Sequence, residues 1–224
     1  MKSFSKHRFL LLMCALAMIF FGAASLAYAG DQRDPSGTKT GSITDVAAAK
    51  PGEPTLQEIG DTVGHNRVSI NFMWTLVTGF LVMFMQAGFA LVETGLTRAK
   101  NASHTMAMNM MIYPLGMLGF YVCGFAFMFG GIGPLGTLGG YSGLNNEFTI
   151  TLFGKPFGLI GLKGFFLQGA GYDTAAFALF LFQMVFMDTT ATIPTGAAAE
   201  RWRFSAFMIY GALIGSVMYP IFGN

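Results

Sequence analysis

The sequence predicts an all-α polytopic membrane protein, with four transmembrane helices behind an amino-terminal signal peptide. Three observations predict it. Of 224 residues, 53% are hydrophobic and only 11% are charged, against about 25% charged in soluble domains. So much apolar surface cannot be hidden inside one water-soluble globule. Four apolar stretches approach or exceed the roughly 20 residues that a helix needs to cross the hydrocarbon core. Arginine and lysine cluster at alternate ends of those stretches, in keeping with the positive-inside bias of membrane proteins.

Residues 1–29 read as the signal peptide. Lys2, Lys6 and Arg8 form its positive region, Phe9 to Phe21 its apolar core, and Ala27-Tyr28-Ala29 fits a small-x-small cleavage site. The competing reading is an uncleaved first helix; the apolar core is short for a span. Cleavage would leave Gly30 as the mature start. Without the three leader cations the formal net charge of +2 turns slightly negative. No basic field for nucleic acid is left. Two cysteines, Cys14 and Cys123, build neither a disulfide nor a metal framework.

Residues 30–66 differ in composition. Pro35, Pro51, Pro54, several small residues and scattered charge predict a flexible extracytoplasmic leader. His65 reads there as a solvated loop histidine. Residues 67–224 form the membrane domain. Its first span is expected from about Ile70 to Leu96, and Arg98 and Lys100 mark the cytoplasmic side. Glu93, one turn inside that end, is expected to pair with Arg98 or to cap nearby backbone. The second span is expected from about Ser103 to Phe129, with Ser103 as its cap and His104 in its first turn. Gly116, Gly119 and Gly124 suit close helix packing.

A glycine-rich connection follows from Gly130 to Gly171. Phe148 to Phe153 is expected to form a short strand, and Leu159 to Leu167 an interfacial or re-entrant segment. The third span runs from about Thr174 to Ala199, with Asp173 at its start as a cap and Pro194 near its end. Arg201 and Arg203 return the chain to the cytoplasm, and Trp202 suits an interfacial anchor. The fourth span runs from about Phe204 to Ile221, where Gly211 and Gly215 form a small-xxx-small pair. The stop at Asn224 suggests a partial chain.

No catalytic, metal or cofactor motif stands out. Paired carboxylates, a serine with a histidine partner, HExxH, a P-loop and a Cys/His cluster are all missing from the sequence, which argues against an enzyme. Asp188, midway along the third span, turns about 200° from Phe186 on a helical wheel, so a bond to a neighbouring helix is expected of it. Phe182 and Phe186 are one helical turn apart on one face. In a chain with 24 phenylalanines that spacing suits core packing or the wall of a narrow path.

The stretch from Gln86 through Glu93 and Arg98 to Asn101 resembles the end of the first helix in the ammonium transporter (Amt/Rh/Mep) family. Phe182-Gln183-Met184-Val185-Phe186, then Gly196 to Arg201 and Phe204 to Phe207, resemble its third helix and following turn. Tyr219-Pro220-Ile221 resembles the end of its fourth. Two departures are Ala87-Gly88, where the family often has Pro-Gly, and Glu93-Thr94-Gly95, where Tyr-Gly-Gly is common. The resemblance implies the first four helices of an eleven-helix fold, in a homotrimer with one narrow pore per subunit. It implies ammonium or ammonia as the substrate, a bacterial inner membrane and a cytoplasmic regulatory partner; the signal-peptide reading puts the mature amino terminus outside. Phe186 would be the phenylalanine gate and Phe182 the ring beside the recruitment site. The family's outer tryptophan, acid, twin histidines and pore serine would all follow Asn224. The alternative it implies is an ammonium sensor within a signalling protein.

Overall fold

The computed structural model describes residue 43, residues 46–140 and residues 143–224. The signal peptide expected over residues 1–29 lies outside them. Two compact units divide the chain, Met1–Val63 and Gly64–Asn224. Four helices are long and apolar enough to cross a bilayer: α1 (Leu56–Leu96), α2 (Ala99–Phe129), α3 (Thr174–Ala197) and α4 (Phe204–Gly223).

The start of α1 corrects the sequence reading, which began this helix near Ile70 and left residues up to 66 as leader. A capping box fixes the true start. The Thr55 amide donates to Glu58 Oε2 at 2.7 Å and the Glu58 amide to Thr55 Oγ1 at 3.3 Å, so two otherwise orphaned helical donors are satisfied reciprocally. The Ala49 amide adds a 2.9 Å bond to Glu58 Oε1.

In the second unit α2 leads through a hairpin to α3. Strand β1 (Glu147–Leu152) pairs antiparallel with β2 (Lys155–Gly161), with an irregularity between Phe148 and Thr149. Phe153 and Gly154 make the turn with φ of 51° and 76°, the left-handed pair that a two-residue hairpin requires. The strand expected at Phe148 to Phe153 is therefore present. The segment expected as interfacial or re-entrant is instead the end of β2 followed by a 3-10 turn, Phe165–Leu167. Asp173 occupies the α3 N-cap position without a side-chain cap hydrogen bond. Ser103 lies inside α2 and does not cap it: Asn101 occupies the N-cap position of the α-helical part, two residues earlier.

Glycine determines how α2 and α4 meet. A Cβ on Gly119 would stand 2.7 Å from the Ala212 carbonyl; one on Gly124 would strike the Gly215 carbonyl, and one on Gly215 the Gly116 carbonyl. The two backbones are thus in direct contact, as small-residue interfaces in membranes permit. Gly116 lies also against α3, where its Cβ would meet Met187 Sδ at 2.8 Å. Around this contact lies an apolar core of Met108, Ile112, Phe120, Phe125, Val185 and Phe207, all fully buried. Phe120 stacks on Phe180 at 5.6 Å and meets Phe125 and Tyr219 edge-on, geometries that aromatic quadrupoles favour.

Both helices widen at this contact. Phe120–Gly124 in α2 and Ile214–Met218 in α4 are π-helical. A π turn removes the usual partner from a backbone carbonyl. Here Cys123 Sγ reaches the carbonyls of Gly119 and Ser216, at 3.8 and 3.5 Å, and Ser216 Oγ donates to Ala212 O at 2.7 Å. By contrast, Leu81, Phe84 and Leu91 of α1 stand exposed, a surface suited to a hydrocarbon environment.

Candidate functional site

Helical periodicity brings Phe182 and Phe186 together on α3. Their ring centroids are 4.9 Å apart and the planes are tilted by 48°. Phe186 is 38% exposed. Phe182 lines a cleft of about 490 Å³ together with Asn71, Trp74, Thr78, Leu179 and Gln183. On α1, Gly79 lets the two helices approach there, since a Cβ at that position would lie 3.7 Å from Phe182 Cα.

Asp188 is 2% exposed. Its Oδ1 finds no hydrogen-bond partner among the described residues, so the helix-to-helix bond expected from the sequence is not made by that oxygen. Its neighbours along α3, Met184, Val185 and Met187, are themselves buried in the apolar core.

Further along α3 the bundle holds a polar clasp. Glu93 of α1 accepts from Asn109 Nδ2 of α2 at 2.7 Å and lies 2.7 and 2.9 Å from the Thr195 hydroxyl of α3. Asn109 Nδ2 also donates to Thr105 O at 3.1 Å. Gln86 Nε2 donates to Asn109 O at 2.7 Å, and Thr192 Oγ1 donates to Gln86 Oε1 at 2.9 Å. Gln86 and Glu93 are seven residues apart and so share a face of α1. Three helices are joined here by polar side chains within their apolar spans.

This arrangement overturns one expectation. Glu93 does not pair with Arg98. Five helical residues turn about 140° beyond a full circle, and Arg98 lies past the helix end. Arg98 pairs with Glu200 instead, its amide and Nε each donating at 2.8 Å and a terminal guanidinium nitrogen lying 2.7 Å away. The backbone of Glu200 is left-handed, with φ of 67°. His104, read as a cap-region histidine, has Nε2 3.2 Å from the Trp202 carbonyl. His65 is exposed.

The Arg98 side chain and amide hold the Glu200 carboxyl down to about 2. A depressed acid lends stability above its ordinary pKa and loses it as pH falls through the folded value. The Arg98–Glu200 contact is therefore expected to be complete at neutral pH and to open between the ordinary carboxylate range and about pH 2. Arg98→Ala keeps the amide bond but should raise Glu200 toward the ordinary range, read by NMR titration of the labelled carboxyl. An unchanged midpoint would show that the guanidinium is not the cause.

The clasp escaped the sequence reading except for Glu93. Its signal was nevertheless there: Gln86, Asn109, Thr192 and Thr195 are polar residues inside apolar runs, and such residues face other helices and bond across them.

Four apolar helices tied by glycine contacts and a buried polar clasp define a multi-pass membrane protein. The profile of the Ammonium Transporter Family matches residues 73–224, and the chain belongs to that family. It is 38% identical over 179 residues to ammonium transporter Amt2 of Archaeoglobus fulgidus, covering 80% of this chain and 32% of that protein. Against ammonium transporter Amt1 of Haloferax mediterranei it is 36% identical, covering 68% of this chain and 25% of that one. A solved chain named Sensor Amt Protein superposes with a TM-score of 0.56 at 33% identity, over 71% of this chain and 34% of its own. The chain thus spans about a quarter to a third of the length of these relatives. Among them the curated relatives are named as transporters, not enzymes.

Proposed function

We propose that this chain is the amino-terminal part of a protein that carries ammonium or ammonia across a bacterial inner membrane, through a narrow pore gated by Phe186. The observation that carries the reading is the ring pair: in a chain of the ammonium transporter family, Phe182 and Phe186 touch at 4.9 Å with Phe186 partly exposed. Aromatic faces attract a cation electrostatically. Charge is costly in hydrocarbon, so a conductor must replace the hydration shell or strip the proton, and phenyl rings can exclude water while the faces hold the ion.

In this reading residues 1–29 are a signal peptide, the residues up to the start of α1 form an extracytoplasmic leader, and the membrane domain follows. The remaining helices of an eleven-helix subunit, a homotrimeric assembly and a cytoplasmic regulatory partner complete it. The test is methylammonium uptake in cells lacking their own ammonium transporters. Phe186→Ala should change both flux and selectivity several-fold with normal membrane insertion. Unchanged flux and selectivity would remove the gate.

A second reading, an ammonium sensor, is favoured by the likeness to the chain named Sensor Amt Protein. A kinase or cyclase domain on the same polypeptide, together with absent methylammonium uptake, would decide for it.

A further inference from the structure

We propose that Glu93 is the anionic centre of a second cation site, one that holds ammonium at the end of the bundle away from Phe182; the substrate class rests on the transport reading above. Gly79, the α1 residue beside Phe182, precedes Glu93 by about 21 Å of helix at 1.5 Å per residue. The two places are therefore separate.

The Glu93 side chain opens onto a cleft of about 420 Å³ that Thr97, Arg98, Gly196 and Glu200 also line. The residue is only 8% exposed. A carboxylate offers about four acceptor positions. Asn109 fills one. Thr195 fills at most one, because its single hydroxyl proton also has the Thr192 carbonyl 2.6 Å away. No cationic side chain among the described residues pairs with Glu93, and Arg98 is engaged by Glu200. Arg201 lines the cleft too, but it is exposed to solvent.

Oε1 is accessible because residue 196 is glycine: a Cβ there would stand 2.9 Å from it. Two buried hydroxyls on the same two helices as Glu93 and Asn109, Thr94 Oγ1 and Thr105 Oγ1, find no partner among the described residues. Thr94 is the next residue along, and the Thr105 carbonyl takes Asn109's N–H. Thr105 is fully buried. A buried acid with acceptor positions left open asks for a partner that is cationic and rich in hydrogen-bond donors. Ammonium is both: four N–H donors on one charge. Sodium would need a fuller shell of oxygens.

An infrared difference spectrum of the protein in lipid, ammonium minus sodium, tests this. A perturbed carboxylate stretch is expected, and Glu93→Gln should abolish it. Gly196→Ala keeps the acid and crowds Oε1, so it should weaken the ammonium midpoint at least tenfold even if Glu93→Gln fails to fold. A band that survives Glu93→Gln, an unshifted midpoint in Gly196→Ala, or no band in the unmodified protein would each overturn the site. Loss of methylammonium uptake with the band intact would instead sink the transport reading and leave the site standing.

Discussion

Gly215→Val should destabilise the protein by about 3 kcal/mol or more, at or above the upper end of overpacking costs. The reason is what the new side chain meets. A Cβ at 215 runs into the Gly116 carbonyl, and the neighbouring Gly116 Cα and carbonyl carbon lie 2.9 Å from it. Backbone cannot rotate away as a side chain can, so α4 itself must move. Gly211, four residues earlier, is the internal comparison: a Cβ there meets the tip of Ile112 at 3.0 Å, and that tip can change rotamer. Gly211→Ala should lose no more than about 1 kcal/mol, the low end of overpacking. Equilibrium unfolding in mixed micelles measures both. Equal losses would mean that the α2–α4 contact is looser than the backbone approach implies.

The second large effect belongs to Asn109. Asn109→Leu takes away a donor to Glu93 Oε2 and leaves the acid to Thr195 alone. Hydrogen bonds between membrane helices average only about 0.6 kcal/mol, because the unfolded chain in lipid also finds partners. A buried acid left short of donors is a different case, and removing a partner costs about 1–3 kcal/mol or more. We expect about 2–3 kcal/mol for Asn109→Leu and about 0.6 kcal/mol for Gln86→Leu, which removes bonds between neutral groups. The same unfolding assay compares them. If the two substitutions cost the same, water from the adjoining cleft already serves Glu93, and the clasp carries little of the stability.

What could be read from the sequence follows the range of the interactions. Local periodicity placed Phe182 and Phe186 on one face, because a helix fixes that geometry within four residues. The four spans and the glycine interface were legible for the same reason. The start of α1 was legible in principle, since Thr55 and Glu58 have capping-box spacing, but the prolines and glycines just before them suggested a leader. The partners of Glu93 and Arg98 were not legible. Arg98's partner and one of Glu93's lie about a hundred positions away in the chain, the other of Glu93's on the next helix, and only the packing of three helices decides which donor arrives. The hairpin's second strand was hidden by its glycines and by Pro156, which occupies β2 on a ladder of only two strands and so can sit at an edge.

The paired π turns of α2 and α4 bear on how the bundle can move. Each inserts an extra residue into a helical turn, and the two insertions lie side by side, bridged by the Cys123 thiol. Sliding one helix along the other by a single step would set a wide turn against a narrow one and put glycines out of phase. The pair therefore travels as one rigid piece. Among the described helices, α1 and α3 are left to shift against it, where the contacts are side chains rather than interlocked backbone.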